Sequence, residues 1–382
     1  MLPVMTVVIL QASGCTSSRP ATPPAAGGVY FSSSAGALFE QSVNLATAEE
    51  SGLDNIAGFA LQHAQRPAHS PQKILIGAGA DGVAYSEDGG QHWQRIATPL
   101  NFVNDAALLR NGVLVASGTN GEGQGFIIRS ADLGKSWDVV LTIPFPIDTG
   151  GFQLIKAPEV PTSRVVTLAL DPFNEDQLYA GSSQGSIFVG EQSAKTWRML
   201  HQLDENNLLT NDRLGLSIRD IIPSPHRAGE LLLVTQARTL VRVRDGEEKE
   251  INIPRDVASP QPFNLTNHKR VFDATFVPGF PQALLVGVDD GAVSSRDGGA
   301  TWTQLTLPVD QFKSFNTVAV AVSPTNTNRL FVAINNVVFR SEDAGKTWNS
   351  FSLNLLTHGI TALLIDPTNA SHVLAITTPI QS

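Results

Sequence analysis

Four aspartates of this chain, Asp88, Asp132, Asp297 and Asp343, each stand two residues after a serine, two before a glycine and five before a tryptophan. Carboxylates repeated in this way could divide the acid and base roles of a hydrolase or ligate a divalent cation. Their neighbours argue for a different task. The serines are Ser86, Ser130, Ser295 and Ser341; the glycines are Gly90, Gly134, Gly299 and Gly345; the tryptophans are Trp93, Trp137, Trp302 and Trp348. An Asp just past a strand end accepts backbone N–H groups of its own turn. The glycine relieves a conformation that a Cβ would strain, and the tryptophan packs beneath the hairpin or between sheets. The spacing therefore predicts structural turns, with Trp302 and Trp348 buried. A fifth copy at 190–197 keeps only Lys195, Thr196 and Trp197 and should form a looser turn.

No other constellation promises chemistry. The eight histidines are dispersed, with no two at ligand spacing on a recognisable element. No nucleophile elbow or phosphate loop stands in a strand-to-helix context. Asp105, Asp220, Asp273 and Asp289 could approach a central channel, but nothing in the sequence pairs them, and Asp289-Asp290-Gly291 reads as a two-residue hairpin link. No cofactor and no metal are expected. The net charge of −9, without a basic stripe, argues against a nucleic-acid partner.

A second repeat marks inner strands at 165–172, 219–225, 271–278, 318–324 and 360–367, apolar runs that each end in proline. The prolines stand 43 to 53 residues apart. Runs at 56–61 and 102–109 supply two earlier inner strands. Second strands follow at 74–77, 113–117, 178–182, 231–235, 283–288 and 330–334, then a third leading into the aspartate turn and a fourth beyond it. Four strands per unit is a propeller blade. The last unit lacks its outer half, which 29–34 and 37–40 can provide from the other terminus; such closure removes the exposed sheet edges of an open array. The expectation is an all-β, single seven-bladed β-propeller over 29–382, with six blades as the fallback.

The segment 1–14 reads as a signal peptide, and Ala12-Ser13-Gly14-Cys15 resembles the lipobox of bacterial lipoproteins. A Ser/Pro/Ala tract then makes 15–28 a flexible tether. The chain is expected to be exported and membrane-anchored through lipidated Cys15, facing the periplasm or cell exterior.

The pattern Ser-x-Asp-x-Gly-x-Thr-Trp resembles the Asp-box of sialidases, sortilin-like receptors and many bacterial propellers. The chain as a whole is similar to exported bacterial Asp-box (BNR-type) propellers, among them lipoprotein propellers of the photosystem II assembly-factor type. That resemblance implies a monomeric, non-catalytic scaffold binding a protein or glycan ligand across one face. The alternative is a glycoside hydrolase of sialidase or xyloglucanase type. A sialidase-like site requires three arginines, a tyrosine nucleophile and an acid, yet Tyr30, Tyr85 and Tyr179 all fall at strand positions and Ile253-Pro254-Arg255 inverts the family's Arg-Ile-Pro order. A xyloglucanase-like site lies between two propellers, and one is expected here.

Asp-box turns and proline-ended turns connect strands at one face, so links between blades emerge at the other. Three consecutive links are long: roughly 142–163, 201–216 and 254–269. Long loops on a rigid scaffold are where function concentrates. A partner is expected there, with Phe145, Phe152 and Phe263 as apolar anchors ringed by Asp204, Arg213 and Arg255. For the anchor, Cys15→Ser should move the protein from the membrane fraction to the soluble one. Unchanged membrane association, or wild type without an acyl label, would refute it.

Overall fold

The computed structural model describes residues 28–42, 44–45, 61, 63–143, 163–174, 176–204, 216–257, 268–309, 317–353, 355 and 358–379. Residues 1–27, with Cys15 and the tether, lie outside that set.

Seven antiparallel sheets follow one another as the blades of a propeller. Blade 1 comprises Ala64–Gln65, Ile74–Gly77, Val83–Ser86 and His92–Ile96; blade 2 Phe102–Leu108, Leu114–Thr119, Gly125–Ser130 and Asp138–Thr142; blade 3 Val165–Leu170, Leu178–Ser182, Ser186–Glu191 and Thr196–Gln202. Blade 4 runs Ile218–Pro223, Leu231–Thr235, Leu240–Arg244 and Glu247–Ile251, and blade 5 Val271–Phe276, Leu284–Val288, Gly291–Ser295 and Thr303–Leu305. Blade 6 runs Thr317–Val322, Leu330–Ile334, Val337–Ser341 and Asn349–Ser352. Blade 7 joins both ends of the chain: His358–Ile365 and Val373–Pro379 pair onward to Gly28–Ser32 and Glu40–Ser42.

Side chains alternate between the faces of a strand, and here both faces are covered. Leu231 and Leu233 enter the core shared with blade 3, while Leu232 and Val234 enter the core shared with blade 5. Every residue of that strand is therefore buried, which explains why such strands read as unbroken apolar runs. Seven apolar clusters fill the seven junctions between neighbouring blades, blade 7 with blade 1 included.

Three expectations are corrected. The inner strand of blade 1 is Ala64–Gln65 rather than 56–61; of that run only Leu61 is described, buried in the junction with blade 7. Polar Gln65 takes the inner place because its amide donates to Asp105 and to the Leu168 carbonyl. The outermost strand of blade 7 is Glu40–Ser42, because 33–39 is occupied by a turn. Trp348 is only partly buried, whereas Trp302 is 8% exposed and Trp93 wholly buried. The strand of Trp93 carries a fifth strand outside it, Asn44–Leu45, and Trp302 reaches the Asn252 carbonyl of blade 4. The ring N–H of Trp348 instead stays within its own turn, on the Gly345 carbonyl.

The turn glycines face the neighbouring blade. A Cβ on Gly134 (φ +86) would stand 2.2 Å from Cγ2 of Ile96, and one on Gly299 (φ +90) 2.6 Å from Cγ2 of Ile251. Gly112 shares the positive φ (+83) but has nothing within 4 Å. Gly112→Ala should therefore cost about 1–2 kcal/mol of left-handed strain, and Gly134→Ala about 1–3 kcal/mol more for the clash. Equal losses in denaturant titrations would contradict a role for Gly134 in blade packing.

Candidate functional site

The Asp-box carboxylates are saturated by their own turns. Each box serine donates to its aspartate at 2.7–3.0 Å and accepts the box glycine N–H at 2.8–2.9 Å. The same aspartate oxygen accepts the N–H of His92, Ser136, Thr301 or Thr347 at 2.8–2.9 Å. The other oxygen takes a hydroxyl from Ser136, Thr301 or Thr347 at 2.6–2.7 Å, and in Asp88 the His92 ring at 2.5 Å. The degenerate turn of blade 3 needs three successive left-handed residues, Gln192, Ser193 and Ala194, yet Trp197 still donates to the Ala194 carbonyl. Blade 7 holds a box that the sequence reading missed: Ser32 accepts the N–H of Ser34 and of Gly36, and Ser34 accepts that of Leu38, with Phe39 in the tryptophan position. The serine-to-glycine spacing is its one visible trace.

The inner strands carry a bulge at the same place in blades 2 to 7. Asp105, Thr167, Asp220, Asp273, Ala319 and Ala362 come just after it. Asp105 accepts its own Ala106 N–H at 2.7 Å and, from blade 3, the Leu168 N–H at 2.7 Å. Asp273 repeats this with Ala274 and, from blade 6, Val320, both at 2.8 Å. These two carboxylates stitch blades together. Burial lifts Asp105 to about 6; burial first, then the charge of Asp220, lifts Asp273 to about 7. Asp220 and Asp273, which nothing in the sequence paired, line the same cavity. That cavity, of about 730 Å³, is lined also by polar His63, Gln65 and Arg219 and by aliphatic Val318, Ala321 and Leu364.

Asp289 is not in that wall. It sits at the turn between the second and third strands of blade 5, bonded to Arg255 at 3.1 Å and Arg270 at 3.3 Å. Beside it Lys269, 3% exposed, is 2.5 Å from Asp290. Arg270 and Arg238 both lie over the Phe272 ring, at 5.8 and 4.5 Å from its centroid, and Arg219 donates to the Phe272 carbonyl at 2.6 Å. Arg238 has no ion-pair partner among the described residues, and its Nη1 is buried without a hydrogen bond. Desolvation, then the charges of Arg219 and Arg270, lowers it to about 10. Four arginines thus gather on Phe272 and Asp289 between blades 4 and 5, and of these Arg219 lines the channel cavity.

Of the residues predicted for the partner face, Phe145, Phe152, Arg213 and Phe263 lie outside the described residues. Arg255 belongs to the arginine cluster. Asp204 is exposed and donates its N–H to Glu248, a carboxylate that also holds His201. Arg219, Arg238, Arg270 and Phe272 were missed. Their one sequence signal is that Arg219 and Phe272 fill a bulge position where other blades carry Asn104, Val166, Val318 or Thr361. Among the described residues no group of three or more His, Cys, Asp or Glu could hold a metal, and no helix is long and apolar enough to cross a membrane.

Fold and site define a seven-bladed Asp-box (BNR-type) propeller with an arginine cluster between blades 4 and 5. Residues 255–376, about a third of the chain, match the family model of the photosynthesis system II assembly factor YCF48. No curated protein matches the sequence. Among solved structures, the chain is similar to the GH74 xyloglucanase from Xanthomonas campestris, with 14% identity and TM-score 0.63 over 84% of this chain but only 51% of the enzyme. It is also similar to YCF48 bound to D1 peptide, with 17% identity and TM-score 0.54 over 85% of this chain and 94% of that one. YCF48 from Cyanidioschyzon merolae gives 14%, 0.57, 83% and 95% respectively. At these identities the likeness is one of fold.

The two sets of carboxylates give opposite pH dependences. Bonds from Ser136 to Asp132, from Thr301 to Asp297 and from Thr347 to Asp343 hold these turn aspartates at about 2. Their contribution is present above the unfolded value near 3.9 and is lost as pH falls towards 2. Asp105 and Asp273 are raised, so the folded chain binds protons that the unfolded chain has released. Their contribution is full below about 4 and is lost as pH rises through 6 to 7. Asp273→Asn should flatten the fall in Tm between pH 5 and 8; an unchanged slope would show that Asp273 ionises as freely as an exposed carboxylate.

Proposed function

We propose that this chain is an exported, lipid-anchored, non-catalytic scaffold that docks a partner protein on the face where blades 4 and 5 meet the channel mouth. The observation that carries the reading is the convergence of Arg219, Arg238, Arg255 and Arg270 on Phe272 and Asp289 in a chain of net charge −9. Arginine forks recognise carboxylates in pairs of hydrogen bonds, and an aromatic face backed by arginines suits a half-buried contact. The link that begins at 254, one of the three long ones, borders this cluster. The similarity to a propeller whose structure is described with a bound peptide supports a protein partner over a glycan. A hydrolase reading has less support, because both oxygens of Asp105 and of Asp273 are occupied by backbone N–H groups. Arg238→Gln/Arg270→Gln should lose the partner that wild type retains in crosslinking from envelope extracts. A drop of about tenfold or more is expected for lost charge-assisted bonds, with thermal unfolding preserved. Full retention by that variant would move the docking surface elsewhere.

A further inference from the structure

We propose that a cleft between blades 5 and 6, on the Asp-box face, takes a tyrosine side chain of a partner protein. It lies on the face opposite the arginine cluster and does not depend on it. In the third strand of each blade, the residue just before the box serine points across to the following blade. Arg129 of blade 2 donates from there to the Ser193 carbonyl in the turn of blade 3, and Arg340 of blade 6 to the Ser34 and Ala35 carbonyls of blade 7. Tyr85 of blade 1 is wholly buried in the junction with blade 2. Arg242 of blade 4 reaches the box of blade 5, where its Nη1 would stand 3.2 Å from a Cβ on Gly298. In blade 3 the place holds Val189, with Tyr179 opposite it on the second strand. Blade 5 has Ser294 there, opposite Leu285, and nothing longer on either strand. The space left is a cleft of about 600 Å³ lined by Val277, Phe280, Leu285 and Leu330, with Arg296 of its own box and Ala344 of the next.

Two features select the occupant, and the first is an acceptor. Ser193, Ala35 and Ala344 hold the same place in their turns, with the same left-handed backbone at φ +58, +53 and +59. The carbonyls of Ser193 and Ala35 receive a guanidinium N–H from the preceding blade. Among the described residues nothing donates to the carbonyl of Ala344. A guest that covers this carbonyl must bring a donor of its own, because buried polar groups are hydrogen-bonded. The second feature is charge. Tyr85 donates to Glu87 at 2.8 Å and Arg340 pairs with Glu342 at 3.2 Å, each glutamate following its own box serine. Blade 5 reverses that charge with Arg296, which is exposed and has no ion pair among the described residues. A guanidinium guest would meet a like charge here, whereas an aromatic ring offers its face to the cation. A neutral ring with one O–H donor meets both conditions, and blade 1 carries that side chain, Tyr85, at this place in the repeat. Phe280 forms an aromatic lip: it is 56% exposed, on a turn closed by bonds from its N–H to Val277 and from the Ala283 N–H to its carbonyl. A tyrosine seated in such a pocket is a common energetic centre of a protein interface.

The probe is acetyl-Gly-Tyr-Gly-amide at millimolar concentration, read by NMR saturation transfer from the full chain to the ring, with Phe or Arg in place of Tyr as comparisons. The Tyr peptide should bind, and the Phe peptide about fivefold more weakly for the lost hydrogen bond. The Arg peptide should also bind more weakly than the Tyr peptide. Ser294→Tyr/Arg296→Glu copies blade 1 into blade 5 and fills the cleft, so thermal unfolding should be unchanged or raised while the Tyr signal is lost. A folded double variant that binds as wild type does overturns the proposal. Should that variant not fold, Phe280→Ala decides, because its ring is exposed and lies outside the apolar clusters between blades. The Tyr signal should then fall severalfold, and unchanged binding overturns the proposal. Equal binding of the Tyr and Phe peptides would leave the Ala344 carbonyl without a part and overturn the assignment to tyrosine. Tighter binding of the Arg peptide would make the cleft a cation site, and no transfer to any of the three peptides would make it no site at all; either result overturns the inference.

Discussion

Each blade depends on having a blade on either side. A four-stranded sheet with apolar residues on both faces cannot stand in water, and second strands such as Leu231–Thr235 and Leu330–Ile334 are buried along their whole length. Each blade is therefore stable only between two others, and the first and last must meet. Pairing of Gly28–Ser32 with Val373–Pro379 satisfies that condition by building one sheet from both ends of the described chain. A buried ion pair, Arg66 with Asp366 at 2.6 Å, adds a polar clasp where blade 1 meets blade 7. Because the ring closes, each blade packs its two faces against its neighbours among the described residues.

The Asp-box serves this packing. Its serine and aspartate satisfy the donors of a tight turn internally, so the turn needs nothing from solvent or metal. Its glycine lets the turn come against the previous blade: Gly134 on Ile96, Gly299 on Ile251, Gly345 on Leu305. Arginines next to the boxes reach forward in the same way. Arg129 donates to the Ser193 carbonyl of blade 3, and Arg340 to the Ser34 and Ala35 carbonyls of blade 7. The Asp-box aspartates that invite a catalytic reading are thus engaged within their own turns.

The repeat is least regular between blades 4 and 5. Blade 4 replaces the Asp-box with a two-residue turn, Asp245-Gly246, at positive φ. Its bulge residue is Arg219, and the following Asp220 has a contact from the Thr167 hydroxyl at 3.4 Å rather than the backbone N–H bonds of Asp105 and Asp273. Its other hairpin turn carries Arg238 at φ +66, unusual for a non-glycine residue. The Asp245-Gly246 turn lies on the Asp-box face, while Arg219 and Arg238 belong to the sector of the opposite face from which the links between blades emerge. Departures from a local rule without structural gain are expected at functional sites.

Blade number, the closing of the ring from both termini and most strand positions were legible in the sequence, because burying both faces of a strand writes continuous apolar runs and the turns demand Ser, Asp, Gly and Trp at fixed spacing. Short or polar elements were not legible: Ala64–Gln65 is an inner strand by virtue of Gln65 bonding to its neighbours, and the box at Ser32 has lost its Asp and Trp. Relations across the ring were also beyond reach. That Asp220 and Asp273 line one cavity, that Asp289 bonds two arginines instead, and that Arg219, Arg238 and Arg270 meet on Phe272 depend on which positions of separate blades come level at the axis. Periodicity along one chain sets each blade's register but carries no record of what stands opposite it. Only closure of the ring brings those residues together.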